Sequence, residues 1–219
     1  MQKLALIHTS PSLTPMFQEL CATLLPNVTV FHMVDESLIR NTVAAGRLEK
    51  VTMRRVIAMV ESAGMAGADA VLVTCSSIGE AVTMAAKLFD FPVLRVDDAM
   101  AEQAVATGQR VGVLATLKTT LEPTTALVRS KANGHGVTIV DRLCEGAFDA
   151  VMAGDGAKHD AIVCAALKTM QSEVDVIVLA QASMARVLAH MEPGCLKVPV
   201  LSSPELGVRR VADVMQARG

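Results

Sequence analysis

Two similar α/β halves, each built on a parallel sheet, are predicted for this chain of 219 residues. Short apolar runs that end in small or polar residues alternate with longer stretches of helical periodicity, the pattern of parallel strands joined by crossover helices. The strand-like runs of the first half also recur in the second at a nearly constant offset. Residues 3–9 match 110–116, residues 68–77 match 174–183, and residues 92–94 match 199–201. A repeat this long is not a solenoid period. It implies a pair of pseudo-symmetric lobes, with the strand ends of both lining the cleft between them and Cys75 facing Gln181.

Taken in order, a first strand is expected at 2–8 and a helix at 12–25, where Thr14-Pro15 puts proline in a first turn and its missing N–H does no harm. A strand at 28–34 follows. Residues 41–47, with Ala44-Ala45-Gly46, read as a mobile connection bordering the cleft. A helix at 48–66 leads to a strand at 71–75, then a helix at 77–88, a strand at 93–96 and a helix at 98–107 that Thr107-Gly108 closes. The second half opens with a strand at 110–115 and a helix at 118–133, ended by a turn at Gly134 and Gly136. Next come a strand at 137–141, helices at 145–152 and 156–172, a strand at 176–180, a helix at 182–191 and a strand at 199–202. Ser203-Pro204 opens the last helix, 204–217. The lobes are expected to comprise residues 1–98 with 204–219, and residues 99–203.

Composition narrows the partners. A net charge of −2 without Trp or Tyr argues against a nucleic-acid surface, which needs basic patches and stacking platforms. No apolar run has the length of a membrane span, and the N-terminus enters a strand without a leader pattern, so a cytoplasmic protein with a small-molecule partner is expected. Five cysteines in irregular spacing suggest neither a disulfide framework nor a zinc site, and no metal is expected. With 52% hydrophobic but only 2% aromatic residues, the core must be packed from Ala, Val, Leu, Ile and Met. The thirteen Met read as gap fillers.

Ligands of parallel sheets bind beyond the carboxyl ends of strands, where helix N-termini present N–H groups. Cys75 occupies such a place. Thr74, Ser76 and Ser77 surround it with hydroxyls, and a helix start there is expected to lower its pKa toward thiolate; the competing reading is a buried apolar cysteine at a strand end. His8, at the end of the first strand beside Thr9 and Ser10, is expected near Cys75 as a proton relay. Thr116 and Thr119 follow the fifth strand, where they can cap the next helix, hold a carboxylate or phosphate, or do both. Cys21, Cys164 and Cys195 read as structural, and Cys144 as a wall of the cleft. His32, His135, His159 and His190 show no partner pattern. Asp97-Asp98 read as helix caps, with Asp97 orienting a cleft residue as the alternative.

The His8-Thr9-Ser10 strand end, the loop from Val73 to Ser77, the run from Pro92 to Asp97, the strand from Arg110 to Thr116 and that from Val176 to Gln181 together resemble the aspartate/glutamate/hydantoin racemase superfamily over nearly the whole chain. The resemblance implies two α/β lobes and a cofactor-free site in which two cysteines flank the substrate, one taking the α-proton and the other returning a proton to the opposite face. Cys75 matches the first cysteine. The second, usually in Leu-Gly-Cys-Thr, is replaced in Leu179-Ala180-Gln181-Ala182, and Gln181 can only hydrogen-bond. Single-cysteine relatives of the arylmalonate decarboxylase type resemble the reverse pattern, whereas those of the maleate isomerase type use the first cysteine as nucleophile. The resemblance thus implies a homo-oligomeric, cofactor-independent isomerase or epimerase acting on a small carboxylate or phosphorylated hydroxy-carbonyl compound. Cys75 and His8 would be catalytic, and Thr9, Ser10, Ser76, Ser77, Thr116, Thr119, Gln181 and Ser183 would hold the substrate. A single-cysteine lyase or decarboxylase, or a binding protein that has lost catalysis, are the alternatives.

Overall fold

The computed structural model describes residues 1–134, 136–192 and 194–218; His135 lies outside them. The chain forms β1 (Lys3–His8), α1 (Thr14–Leu24), β2 (Thr29–Val34), α2 (Glu36–Ala45), α3 (Lys50–Met65), β3 (Ala70–Val73), α4 (Gly79–Ala85), β4 (Val93–Arg95) and α5 (Asp98–Thr107). It continues as β5 (Arg110–Ala115), α6 (Lys118–Lys131), β6 (Thr138–Leu143), α7 (Ala147–Met152), α8 (Gly156–Met170), β7 (Val176–Leu179), α9 (Ala185–Ala189), β8 (Val200–Ser202) and α10 (Ser203–Gln216). Two compact units result, one from residues 1–99 together with the C-terminal segment from Pro204, the other from residues 100–203. Among the described residues no helix is long and apolar enough to cross a membrane.

Each unit holds a four-stranded parallel sheet, in the orders β2-β1-β3-β4 and β6-β5-β7-β8. The registers repeat as well: Leu4 pairs with Ala70 and Ile7 with Val73, while Val111 pairs with Val176 and Leu114 with Leu179. Even the amino ends match. Asp69 accepts from the backbone N–H of Lys3 at 2.7 Å, and Asp175 accepts from that of Arg110 at 2.8 Å. Gly108 is required beside the second staple, because a Cβ there would lie 2.5 Å from that of Asp175.

The central strands β1, β3, β5 and β7 are buried almost throughout, as strands covered by helices on both faces must be. Leu, Val, Ile and Ala fill the unit 1 cluster around Ile7, Leu38, Val60 and Val73, and Leu114, Val163, Leu167 and Ile177 fill that of unit 2. Phe17 is the largest fully buried side chain. Helix α10 completes unit 1: Val208 and Val211 are fully buried, Gly207 lets the helix approach the Val96 carbonyl, and Gln2 donates to the Met215 carbonyl at 3.1 Å.

The segment expected to be a mobile connection is corrected. Residues 41–45 end helix α2, with Leu38 and Thr42 buried one turn apart. Asp35 caps its start by accepting from the Ser37 N–H at 3.0 Å, and Gly46 closes it at φ 67°. The helix is therefore set by its ends and by two inward side chains.

Candidate active site

Cys75 lies beyond the end of β3, separated from it by Thr74, and precedes a 3-10 turn, Ser76–Ile78, that leads into α4. Its thiol is hydrogen-bonded by the side chains of Thr9 and Ser77 and by the backbone N–H groups of Ser77 and Ile78. Thr9, Ser76 and Ser77 are themselves buried. Burial pushes the thiol pKa up, and these four bonds pull it back only in part. The expectation of a lowered pKa is thus corrected. The helix that follows has seven residues, so its dipole is short and reaches the sulfur through the intervening 3-10 turn. What the turn supplies is a set of donors aimed at the sulfur, which stabilise a thiolate once a proton has left.

The same construction stands in unit 2. Gln181 follows β7, precedes the 3-10 turn Ala182–Met184, and has nearly the backbone angles of Cys75 (φ −123° against −124°). Where Thr9 meets Cys75, Thr116 meets Gln181: its N–H and hydroxyl donate to the Gln181 Oε1 at 2.6 and 2.9 Å. With its oxygen so occupied, the amide has only its NH2 group left to offer, as a pure donor. Thr119, in the first turn of α6, has a buried hydroxyl without a hydrogen-bond partner among the described residues. Ser183 is exposed, and Ser10 pairs its hydroxyl with Ser12 at 2.8 Å.

His8 is fully buried. Its Nδ1 lies 2.9 Å from Thr74 Oγ1 and its Nε2 lies 2.9 Å from His32 Nδ1, while His32 Nε2 meets Gln18 Oε1 at 2.8 Å. His32, expected to have no partner, therefore belongs to this network. Leu6 pairs with His32 in the β1–β2 register, which puts His8 and His32 on one face of the sheet; only a known strand order could have revealed it. Burial, and after it the neighbouring His32, lowers the His8 pKa from 6.5 to about 4. Folded protein thus keeps His8 neutral, whereas the unfolded chain takes up a proton below about pH 6.5. Stability carried by this group is complete above that pH and is lost as pH falls toward 4, by about 2 kcal/mol between pH 7 and pH 5. Urea denaturation at the two pH values should show the loss, and His8→Asn should flatten it.

Arg95 is a residue that sequence reasoning passed over. It donates from Nε and from a terminal nitrogen to the two oxygens of Asp97 at 2.9 and 2.8 Å; the carboxylate is buried and the guanidinium side chain only 12% exposed. Asp97 thus orients an arginine. The guanidinium lies over Gly79, where any Cβ would collide with it. Gly79 directly follows the Ile78 whose N–H serves Cys75.

Cys144 packs in the unit 2 core, and burial raises its pKa to about 11. Burial likewise raises that of Cys21 to about 11. His159 and His190 do have a partner, Asp160, at 2.7 and 3.3 Å, joined there by Arg186 at 2.8 Å. This cluster ties α8 to α9. Among the described residues, no group of three or more His, Cys, Asp and Glu is placed to hold a metal ion.

Two duplicated α/β units, each presenting a threonine and a polar strand-end residue before a 3-10 turn, define a class of two-unit parallel-sheet proteins. The sequence matches the Asp/Glu/hydantoin racemase family over residues 6–211, and the chain belongs to that family. Among solved structures it is similar to a glutamate racemase isoform from Bacillus anthracis, at 17% identity, a TM-score of 0.76 and coverage of 100% of this chain and 83% of that one. It is also similar to allantoin racemase from Klebsiella pneumoniae (15% identity, TM-score 0.73, coverage 100% and 89%) and to an aspartate racemase homologue from Pyrococcus horikoshii (14%, 0.72, 99% and 100%). A comparison with curated proteins finds no match.

Proposed function

We propose that the protein is a cofactor-independent isomerase or epimerase of the racemase type that acts on a small carboxylate or phosphorylated hydroxy-carbonyl compound. The observation that carries this reading is the Cys75 thiol, held by four hydrogen bonds from Thr9, Ser77 and Ile78. In its thiolate form, held by these donors, the sulfur takes the substrate proton and becomes the neutral thiol, and the negative charge passes to the substrate as its enolate. Ser76, Thr119, Ser183 and the NH2 group of Gln181 are proposed as the donors for substrate oxyanions, since a developing enolate needs donors already in place; Ser77 and Thr116, whose own protons go to Cys75 and Gln181, hold those two groups in position. His8 assists by holding Thr74.

Gln181 cannot exchange a proton as an acid, which favours chemistry driven by one thiol and supports a single-cysteine lyase or decarboxylase as the second reading. Incubation with small carboxylic and hydroxy acids in deuterated water, followed by NMR, separates the readings. Exchange at carbon with retention of the carboxylate supports the isomerase, loss of carbon dioxide or a cleaved fragment supports the lyase, and no change with any compound leaves neither.

Gln181→Ala is expected to lower kcat/KM roughly 5- to 150-fold, the equivalent of about 1–3 kcal/mol for a part-buried donor removed from the transition state. A wild-type kcat/KM in this variant would limit Gln181 to its bond with Thr116.

A further inference from the structure

We infer that His32 is a positioning residue for the Cys75 site: its Nδ1–H donates to Nε2 of His8 and so fixes the buried ring in the tautomer that holds Thr74. The inference rests on the reading of Cys75 as the reacting group.

The proton count along the chain leads to this assignment. Thr74 has one hydroxyl proton, and its Oγ1 donates to the Ile7 carbonyl at 3.2 Å. The same oxygen, 2.9 Å from His8 Nδ1, must then accept from an Nδ1–H. A neutral imidazole protonated there has only a lone pair at Nε2. The 2.9 Å bond to His32 Nδ1 therefore requires the proton on His32. At the outer end, Gln18 can serve either state of His32: its Oε1, at 2.8 Å, accepts from an imidazolium, and a half-turn of the amide presents its NH2 to a neutral ring. The inner bond keeps one polarity in both cases.

His8 has nowhere else to turn. The ring is fully buried, stacked on His32 with centroids 5.1 Å apart and tilted against Phe17 at 5.6 Å. Without a donor at Nε2, the ring can pass its proton to that nitrogen and leave Nδ1 as an acceptor. Thr74 would then turn its hydroxyl from Ile7 to His8. The next residue on each strand is a member of the thiol pair, Thr9 after His8 and Cys75 after Thr74, and these two are hydrogen-bonded. The His8–Thr74 bond thus clamps β1 to β3 one residue before the point where the Thr9 hydroxyl must meet the sulfur.

The test compares His32→Leu, which removes the donor, with His32→Asn, whose side-chain NH2 stands near the place of Nδ1. Alkylation of Cys75 by iodoacetamide at pH 8, read by peptide mapping, is expected to slow about tenfold in His32→Leu, the loss of roughly one pKa unit of thiolate stabilisation, and to stay within about twofold of wild type in His32→Asn. Nitrogen-15 shifts of wild-type His8 should show Nδ1 protonated and Nε2 bare. An unchanged rate in a folded leucine variant, an asparagine variant as slow as the leucine one, or the opposite tautomer of His8 would each overturn the assignment. Should the leucine variant not fold, the tautomer and the asparagine rate decide. None of these readings requires turnover, so an absence of carbon exchange in wild-type protein would remove the isomerase reading and leave the role of His32 standing.

Discussion

Cys75→Ala is expected to abolish carbon exchange, with a fall of at least about 10²–10⁴-fold, the range attributed to a positioned acid or base, while the protein stays folded. The two halves of this expectation have separate causes. The sulfur is the ionisable atom on which the donors of Thr9, Ser77 and Ile78 converge, so its removal leaves those donors facing a methyl group. The fold, in contrast, loses one half-buried side chain beyond a strand end, and donors left without their acceptor cost it about 1–3 kcal/mol. Activity and melting temperature measured on the same preparation should therefore separate. Near wild-type exchange in the alanine variant would remove the thiol from the mechanism.

Arg95→Met should produce the largest change in stability. Asp97 is fully buried and holds the guanidinium with both oxygens, so removing the arginine leaves a carboxylate with its main partner gone. Breaking a buried pair from one side costs about 3–5 kcal/mol, much more than the surface pairs Arg40–Glu36 and Arg209–Glu205 can contribute, since both are exposed on both sides. Arg95→Met with Asp97→Asn should recover most of the loss, because the charge that lacked a partner is gone as well. Urea denaturation of the two variants provides the check. An Arg95→Met midpoint equal to wild type would mean that Asp97 finds another cation. The single variant should also lose activity, since the guanidinium lies over Gly79 at the end of the turn that serves Cys75.

All eight strands and their duplication could be read directly because buried parallel strands are short apolar runs, and a period of two or an unbroken run survives any packing detail. Boundaries moved by a residue or two, as at β6, which extends to Leu143 rather than 141. Helix α2 escaped because Asn41, Thr42 and Val43 are weak helix formers, although Asp35 and Gly46 marked both of its ends. Within the candidate site, Cys75, Thr9 and Gln181 were legible from their places after strands. His32 and Arg95 were not, since each acts on a residue of a neighbouring strand, and neither strand order nor pairing register is written in local sequence. The direction of the Cys75 pKa shift was misjudged for a related reason: donors can be counted along a chain, whereas the depth at which a sulfur is buried is a property of the packed protein.

The way unit 2 interrupts unit 1 has a consequence for synthesis. Residues 100–203 form one continuous unit, whereas the unit begun by β1 is finished only by α10, whose Val208, Val211 and Met215 fill its core. On the ribosome, chains ordinarily fold domain by domain from the amino end. Here the half that emerges first must wait for the last helix, and the later half can close ahead of it. A released chain ending before Pro204 would hold every residue of the second unit and lack the helix that fills the core of the first, so the loss of that segment would weaken the half of the protein that was made earliest.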